Sequence, residues 1–149
     1  YGSEIMRPTE PADKRKVELS EKDVLAVLRL MRASYNVDTT RVYLLGHSMG
    51  GVGAWHLAAK YPERWAGVAA FAGTGNPASV ERMKAIPQFV VHGDADATVN
   101  VFGSRSMVAA MNRLGMKVTY IEVPEGTHNE VVVPNLAKAF EFLAAQHRQ

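Results

Sequence analysis

With 149 residues, 47% of them hydrophobic and 21% charged, the sequence has the size of one domain and apolar material for one core. A net charge of +2, with Lys14-Arg15-Lys16 as the main block of like charge, argues against a nucleic-acid partner and places that trio on a loop. The absence of cysteine excludes a disulfide scaffold, Cys-ligated metals and a thiol nucleophile while leaving the compartment open, and no apolar run reaches membrane-spanning length.

Residues 1–19 carry Pro8, Pro11 and many polar side chains, and read as a loop or arm. A chain that starts at Tyr1 with no signal-peptide pattern is expected to be processed, excised or partial at its start. Ser20 followed by Asp23 has the form of a helix N-cap, and Val24, Leu25, Val27, Leu28 and Met31 repeat at helical spacing to about Tyr35. Asn36–Thr40 is a turn. Arg41–Leu45 is a short buried strand, followed after Ser48 by a helix over Val52–Tyr61 that Pro62 stops. Trp65–Ala72 is a second apolar strand, Ala78–Ala85 a short helix and Gln88–His92 a third strand. Phe102–Leu114 is an amphipathic helix with Gly115 as its C-cap, Lys117–Val123 a fourth strand, and Val133–His147 the last helix. Strands alternating with helices predict a three-layer α/β/α domain with a mainly parallel sheet, and no linker divides residues 20–149.

One junction in this order carries chemistry. Gly46-His47-Ser48-Met49-Gly50 is a G-x-S-x-G motif between a predicted strand and a predicted helix. A serine at so sharp a turn is pushed outward above the carboxyl ends of the strands, and glycines two before and two after leave room for the turn. A serine nucleophile needs a base for its proton, and the base needs an acid that orients it. The fold that carries this junction orders them Ser, then Asp or Glu, then His. Asp96 lies in the loop after the third strand and His128 in the loop after the fourth, so all three candidates face one rim.

Here the sequence resembles the α/β-hydrolase family. It is most similar to the esterase branch that includes polyhydroxyalkanoate depolymerase-like, feruloyl esterase-like and prolyl-oligopeptidase-like enzymes. The resemblance rests on the run from Asp38 through Arg41-Val42-Tyr43-Leu44-Leu45 into Gly46-His47-Ser48-Met49-Gly50-Gly51, on Ala58–Arg64, on His92-Gly93-Asp94-Ala95-Asp96 and on Gly126-Thr127-His128. It covers roughly residue 20 to the end. It implies the C-terminal half of that fold, with Ser48 as nucleophile, Asp96 as orienting acid and His128 as general base and acid. Family spacing sets the acid three residues after Gly93, which favours Asp96 over Asp94; Asp94 then reads as a loop cap.

The backbone N–H of Met49 is one oxyanion donor. The loop that supplies the second in the family precedes the part represented here, and losing one donor costs about a hundred- to a thousandfold in turnover. Without the preceding strands the apolar elbow strand is left at a sheet edge, which invites pairing with another chain, so either a missing half exists or a homo-oligomer closes the edge. The implied activity is hydrolysis of carboxylic esters, the substrate a small-molecule ester. A peptidase or acyltransferase with the same triad and a non-catalytic binding module are the alternatives. The short connection after the second strand leaves no room for a large cap, which suggests short or soluble acyl groups.

The remaining residues have plainer readings. His47 is expected to point away from the nucleophile, His56 to lie on a helix and His147 in a tail, while His92 ends a strand and could approach the rim. Trp55, Trp65, Met49, Met107 and Phe102 read first as packing residues, with Phe102 as a possible pocket wall. No cofactor or metal is indicated, and Gly50-Gly51-Val52-Gly53 lacks the Lys-Ser/Thr tail of a phosphate loop.

Overall fold

The computed structural model describes residues 11–148, with side chains described from Lys14. It divides into two compact units, with the boundary between Thr39 and Thr40. The first holds a single long helix, α1, Pro11–Ser34. Residues 11–19 were expected as a loop and are instead its first turns. Pro11 occupies the helix start, where its missing N–H costs nothing, and the lysines, arginines and Leu19 behind it are strong helix formers. Ser20 therefore lies inside the helix rather than capping it, and the Lys14-Arg15-Lys16 trio is helical. The apolar repeat is real in spacing but only partly buried: Leu25 and Leu28 are half-buried, while Val24, Val27 and Met31 are exposed. The expected arm over residues 1–10 lies outside the described residues.

The second unit is a sheet of four parallel strands, β1 Tyr43–His47, β2 Gly67–Phe71, β3 Gln88–Gly93 and β4 Val118–Val123, in the order β1-β2-β3-β4. Between them run α2, Met49–Lys60, a 3-10 segment over Pro77–Met83, and α3, Phe102–Arg113; α4, Val133–Ala144, follows β4. The central strands β2 and β3 are buried along their whole length, as near-continuous apolar runs in a parallel sheet should be.

Strand parity separates the two faces. Odd-numbered Ala69, Phe71, Phe89 and Val91 pack with Ala139 and Leu143 of α4. On the even side Gln88 Oε1 accepts from Trp55 Nε1 of α2 at 3.2 Å, and His92 meets Ser104 of α3 at 2.7 Å. Helices on both faces give the three layers that the sequence predicts. The short helix expected over Ala78–Ala85 is 3-10 in form; Asn76 accepts from the Ala78 N–H at 3.0 Å and Pro77 starts the segment.

Two boundary shifts matter for the site. The elbow strand ends at His47 instead of Leu45, and the next helix starts at Met49 instead of Val52. Strand and helix therefore meet at Ser48 with no loop between them.

On β4 an ion pair borders the rim. Arg105 of α3 bonds both oxygens of Glu122, at 2.8 and 2.6 Å, and the Tyr120 hydroxyl donates to the same carboxylate at 2.5 Å. The guanidinium first, then the phenol, hold the Glu122 carboxyl down to about 2 from an ordinary 4.5, against a smaller opposing effect of burial. A carboxylate lowered on folding contributes stability that is present above its unfolded pKa and lost as pH falls through the folded one. The contribution therefore fades between about pH 4.5 and 2. Both partners are partly exposed, so solvent screens the pair. Glu122→Gln is expected to lower the melting temperature by roughly 2 °C at pH 7 and by nearly nothing at pH 2, followed by circular dichroism.

Candidate active site

The elbow backbone is strained at the serine. Ser48 has φ 57° and ψ −120°, a region that L-residues other than glycine rarely occupy. The turn is held by the Ser48 N–H, which donates to the Phe71 carbonyl at the end of β2 at 2.8 Å. A Cβ on Gly46 would lie 2.1 Å from the Gly50 carbonyl oxygen, so this position excludes every other residue. A Cβ on Gly50 would meet nothing within 4 Å. The second glycine of the motif thus does not itself need the room; its backbone is what position 46 must clear. Met49 opens α2, and its N–H is among the first-turn donors that an α-helix leaves without an intrahelical acceptor.

The acid and the base come from loops at the same end of the sheet. Asp96 is buried. Its Oδ1 accepts from the N–H groups of Thr98 and Val99, both at 2.8 Å, and its Oδ2 accepts from His128 Nδ1 at 2.7 Å. Burial pushes the Asp96 carboxyl up, but the Val99 N–H, the His128 ring and the Thr98 N–H together outweigh it and hold the group below its usual range. Engaging Nδ1 leaves His128 Nε2 for other chemistry. Asp94 accepts from the Glu125 N–H at 2.6 Å, tying the acid loop to the base loop, as a loop cap would. The two loops touch because Gly93 has no side chain: a Cβ there would sit 1.9 Å from the Gly126 carbonyl oxygen.

His47, expected to point away from the nucleophile, meets the loop that carries His128. Its ring centroid lies 4.6 Å from that of His128, and its Nε2 donates to the His128 carbonyl at 2.9 Å. The reason is the two extra strand residues: His47 ends β1 and its side chain meets the loop after β4. The contact ties the loop after β4 to the residue that precedes Ser48. His92 reaches the acid, with Nε2 3.2 Å from Asp96 Oδ2, and is fully buried. The sequence contained signals for both: His47 adjoins the serine, and the even parity of His92 aims it at α3.

Phe102 and Met49, read first as packing residues, are 70% and 82% exposed. Each is the first residue of its helix at the rim, while Met107 and Met111 fill the core side of α3. Trp55, Trp65 and Met107 are buried, as expected. His56 and His147 are exposed and take no part in the site. Among the described residues no His, Asp and Glu cluster has a metal-holding arrangement, and no helix is long and apolar enough to cross a membrane.

Residues 24–145 match the Esterase family, described as "Putative esterase". Among curated proteins the chain is 39% identical over 90 residues to "Putative esterase NocK" of Nocardia uniformis subsp. tsuyamanensis, covering 58% of this chain and 26% of that one. It is 34% identical over 77 residues to the "Bifunctional acetylxylan esterase/xylanase XynS20E" of Neocallimastix patriciarum, covering 52% of this chain and 12% of that one. The chain thus spans 26% and 12% of the length of these two relatives. Among solved structures, a thermostable esterase superposes with a TM-score of 0.81 at 33% identity, over 87% of this chain and 37% of that one.

Proposed function

The chain belongs to the Esterase family, and from that premise we propose that it is a serine hydrolase that cleaves carboxylic esters through an acyl-enzyme on Ser48. The observation that carries this reading is the buried Asp96 carboxylate bonded at 2.7 Å to His128, whose ring rests on His47 beside the elbow serine. His128 Nε2 takes the Ser48 hydroxyl proton as Oγ bonds to the ester carbonyl carbon. The carbonyl oxygen becomes an oxyanion, to which the Met49 N–H donates. The tetrahedral intermediate collapses, the C–O bond to the alcohol breaks, and the alcohol leaves with the proton from His128. Water repeats the sequence: His128 removes its proton, its oxygen attacks the acyl carbon, and Ser48 leaves with the proton. Asp96 stays ionised throughout, fixing the tautomer and stabilising the imidazolium.

The crossover from β2 to β3 carries only the 3-10 segment Pro77–Met83, so no lid rises there over the serine. The exposed Phe102 and Met49 offer apolar contact at an open rim. Both features favour short acyl groups, and an acetyl ester is what the name of one relative specifies. The homo-oligomer expected from the sequence would form along β1, the edge strand, where Leu45 is exposed.

A fluorophosphonate probe should label the protein at Ser48, as peptide mass mapping would show. Acetate and butyrate p-nitrophenyl esters should exceed the laurate ester by about tenfold or more in kcat/KM, since each chain extension gains only where a pocket receives it. An unlabelled protein would contradict the nucleophile, and a preference for laurate would contradict the open site.

A further inference from the structure

The chemistry above uses one imidazole, yet the buried Asp96 carboxylate carries two. His92, near the end of β3, lies 2.9 Å by Nε2 from the Val99 carbonyl oxygen and 3.2 Å by the same atom from Asp96 Oδ2. A carbonyl oxygen only accepts, so Nε2 bears a proton, and that N–H is shared between Val99 and the carboxylate. On its other side Nδ1 lies 2.7 Å from Ser104 Oγ, and that hydroxyl lies 3.1 Å from the Gly73 carbonyl. The ring is clamped between β3, α3, the end of β2 and the acid loop, with no exposed surface. Asp96 is then fully engaged: two backbone N–H groups on Oδ1, and two histidines on Oδ2. A fully buried site between a strand and a helix is ordinarily aliphatic. An imidazole with a partner on each nitrogen, placed against the acid, calls for another explanation.

Building on the serine-hydrolase reading, we propose that His92 is a positioning residue, a second imidazole that shares Asp96 Oδ2 with His128 and limits how strongly the carboxylate holds a proton on His128. Every donor on Oδ2 takes up part of the negative charge that stabilises the His128 imidazolium. Removing the His92 N–H returns that charge to His128, which then binds its proton more tightly and loses its role as base at a higher pH. The other groups facing this cluster are accounted for. His47 faces His128 from β1. Glu122 is the register partner of His92 on β4; it is bonded to Arg105 and Tyr120 and also interacts electrostatically with His92. Asp94 is bonded to the Glu125 N–H.

The test compares wild type, His92→Phe and His92→Gln. Three readouts are the pH profile of kcat/KM for p-nitrophenyl butyrate, the ring titration of His128 by NMR, and the melting temperature. His92→Phe should move the acid limb and the His128 titration up by roughly one pH unit. His92→Gln, whose amide nitrogen can occupy the place of Nε2, should recover part of that shift. A purely structural role would lower the melting temperature and the plateau rate in both variants and leave the acid limb where it is, which overturns the proposal. Should His92→Phe fail to fold, long-range proton–nitrogen NMR of the wild type decides: a proton on His92 Nε2 is required, and a ring protonated only at Nδ1 overturns the assignment. Turnover that depends on Ser48 with an unmoved acid limb counts against His92 alone. A wild type that is inactive while the His128 titration shifts as expected counts against ester hydrolysis and leaves the His92–Asp96 coupling in place.

Discussion

Ser48→Ala is expected to reduce hydrolysis of p-nitrophenyl butyrate by at least about a thousandfold in kcat/KM, with no comparable loss of stability. The loss is chemical. Without Oγ no acyl-enzyme forms, and what remains is solvent hydrolysis aided by the Met49 N–H and by substrate binding. The fold should tolerate the change because the elbow is held by main-chain contacts. The Ser48 N–H bonds the Phe71 carbonyl, and the Ser48 carbonyl accepts from the Val52 N–H at 3.2 Å. Alanine carries both groups, and its Cβ meets the same φ of 57° that serine already tolerates. Rates measured with initial-velocity assays should separate the variants cleanly, and equal rates in wild type and Ser48→Ala would remove the nucleophile from the account.

Asp96→Asn is expected to lower kcat by about four orders of magnitude while leaving KM within a few-fold. The amide can keep its oxygen on the Thr98 and Val99 N–H groups. Its NH2 then takes the place of Oδ2 and faces two ring nitrogens, His128 Nδ1 at 2.7 Å and His92 Nε2 at 3.2 Å. A donor facing His128 Nδ1 selects the tautomer with its proton on Nε2, and that nitrogen can no longer accept the serine proton. Asp94→Asn is the internal control. That side chain accepts from the Glu125 N–H, which an amide oxygen also serves, so its activity should stay within a few-fold of wild type. A reversed order between the two variants would transfer the acid role to Asp94. Because hydrogen bonds hold the Asp96 carboxyl below its ordinary range, protonation of Asp96 should not limit activity in mild acid.

Much of this site was legible as sequence because its parts are local. The G-x-S-x-G run sets strand, turn and helix within a few residues of Ser48, and the clash of a Cβ at Gly46 with Gly50 involves neighbours only four apart. Asp96 and His128 were legible from order and from their places after strands: in a parallel sheet, the residues after each strand share one rim. Residues 11–19 were misread because proline was taken as a breaker, although at a helix start it is tolerated. Met49 and Phe102 were misread as packing because an apolar side chain at a helix start carries no mark of whether core or solvent lies beyond it.

The sequence alone determined the alternation of strands and helices, the elbow, and the identity of the serine, acid and base candidates. Each of these follows from periodicity, from backbone sterics or from position after a strand, and all three act over short stretches of chain. Only the tertiary structure decided which groups share an atom. It set His47 against His128, although 81 positions separate them, and it gave Asp96 Oδ2 to two histidines at once. Contacts between loops depend on strand register, on the last residue of each strand and on how near two backbones can pass, as Gly93 and Gly126 do. No window of sequence contains those quantities, because they arise only when the four strands are aligned.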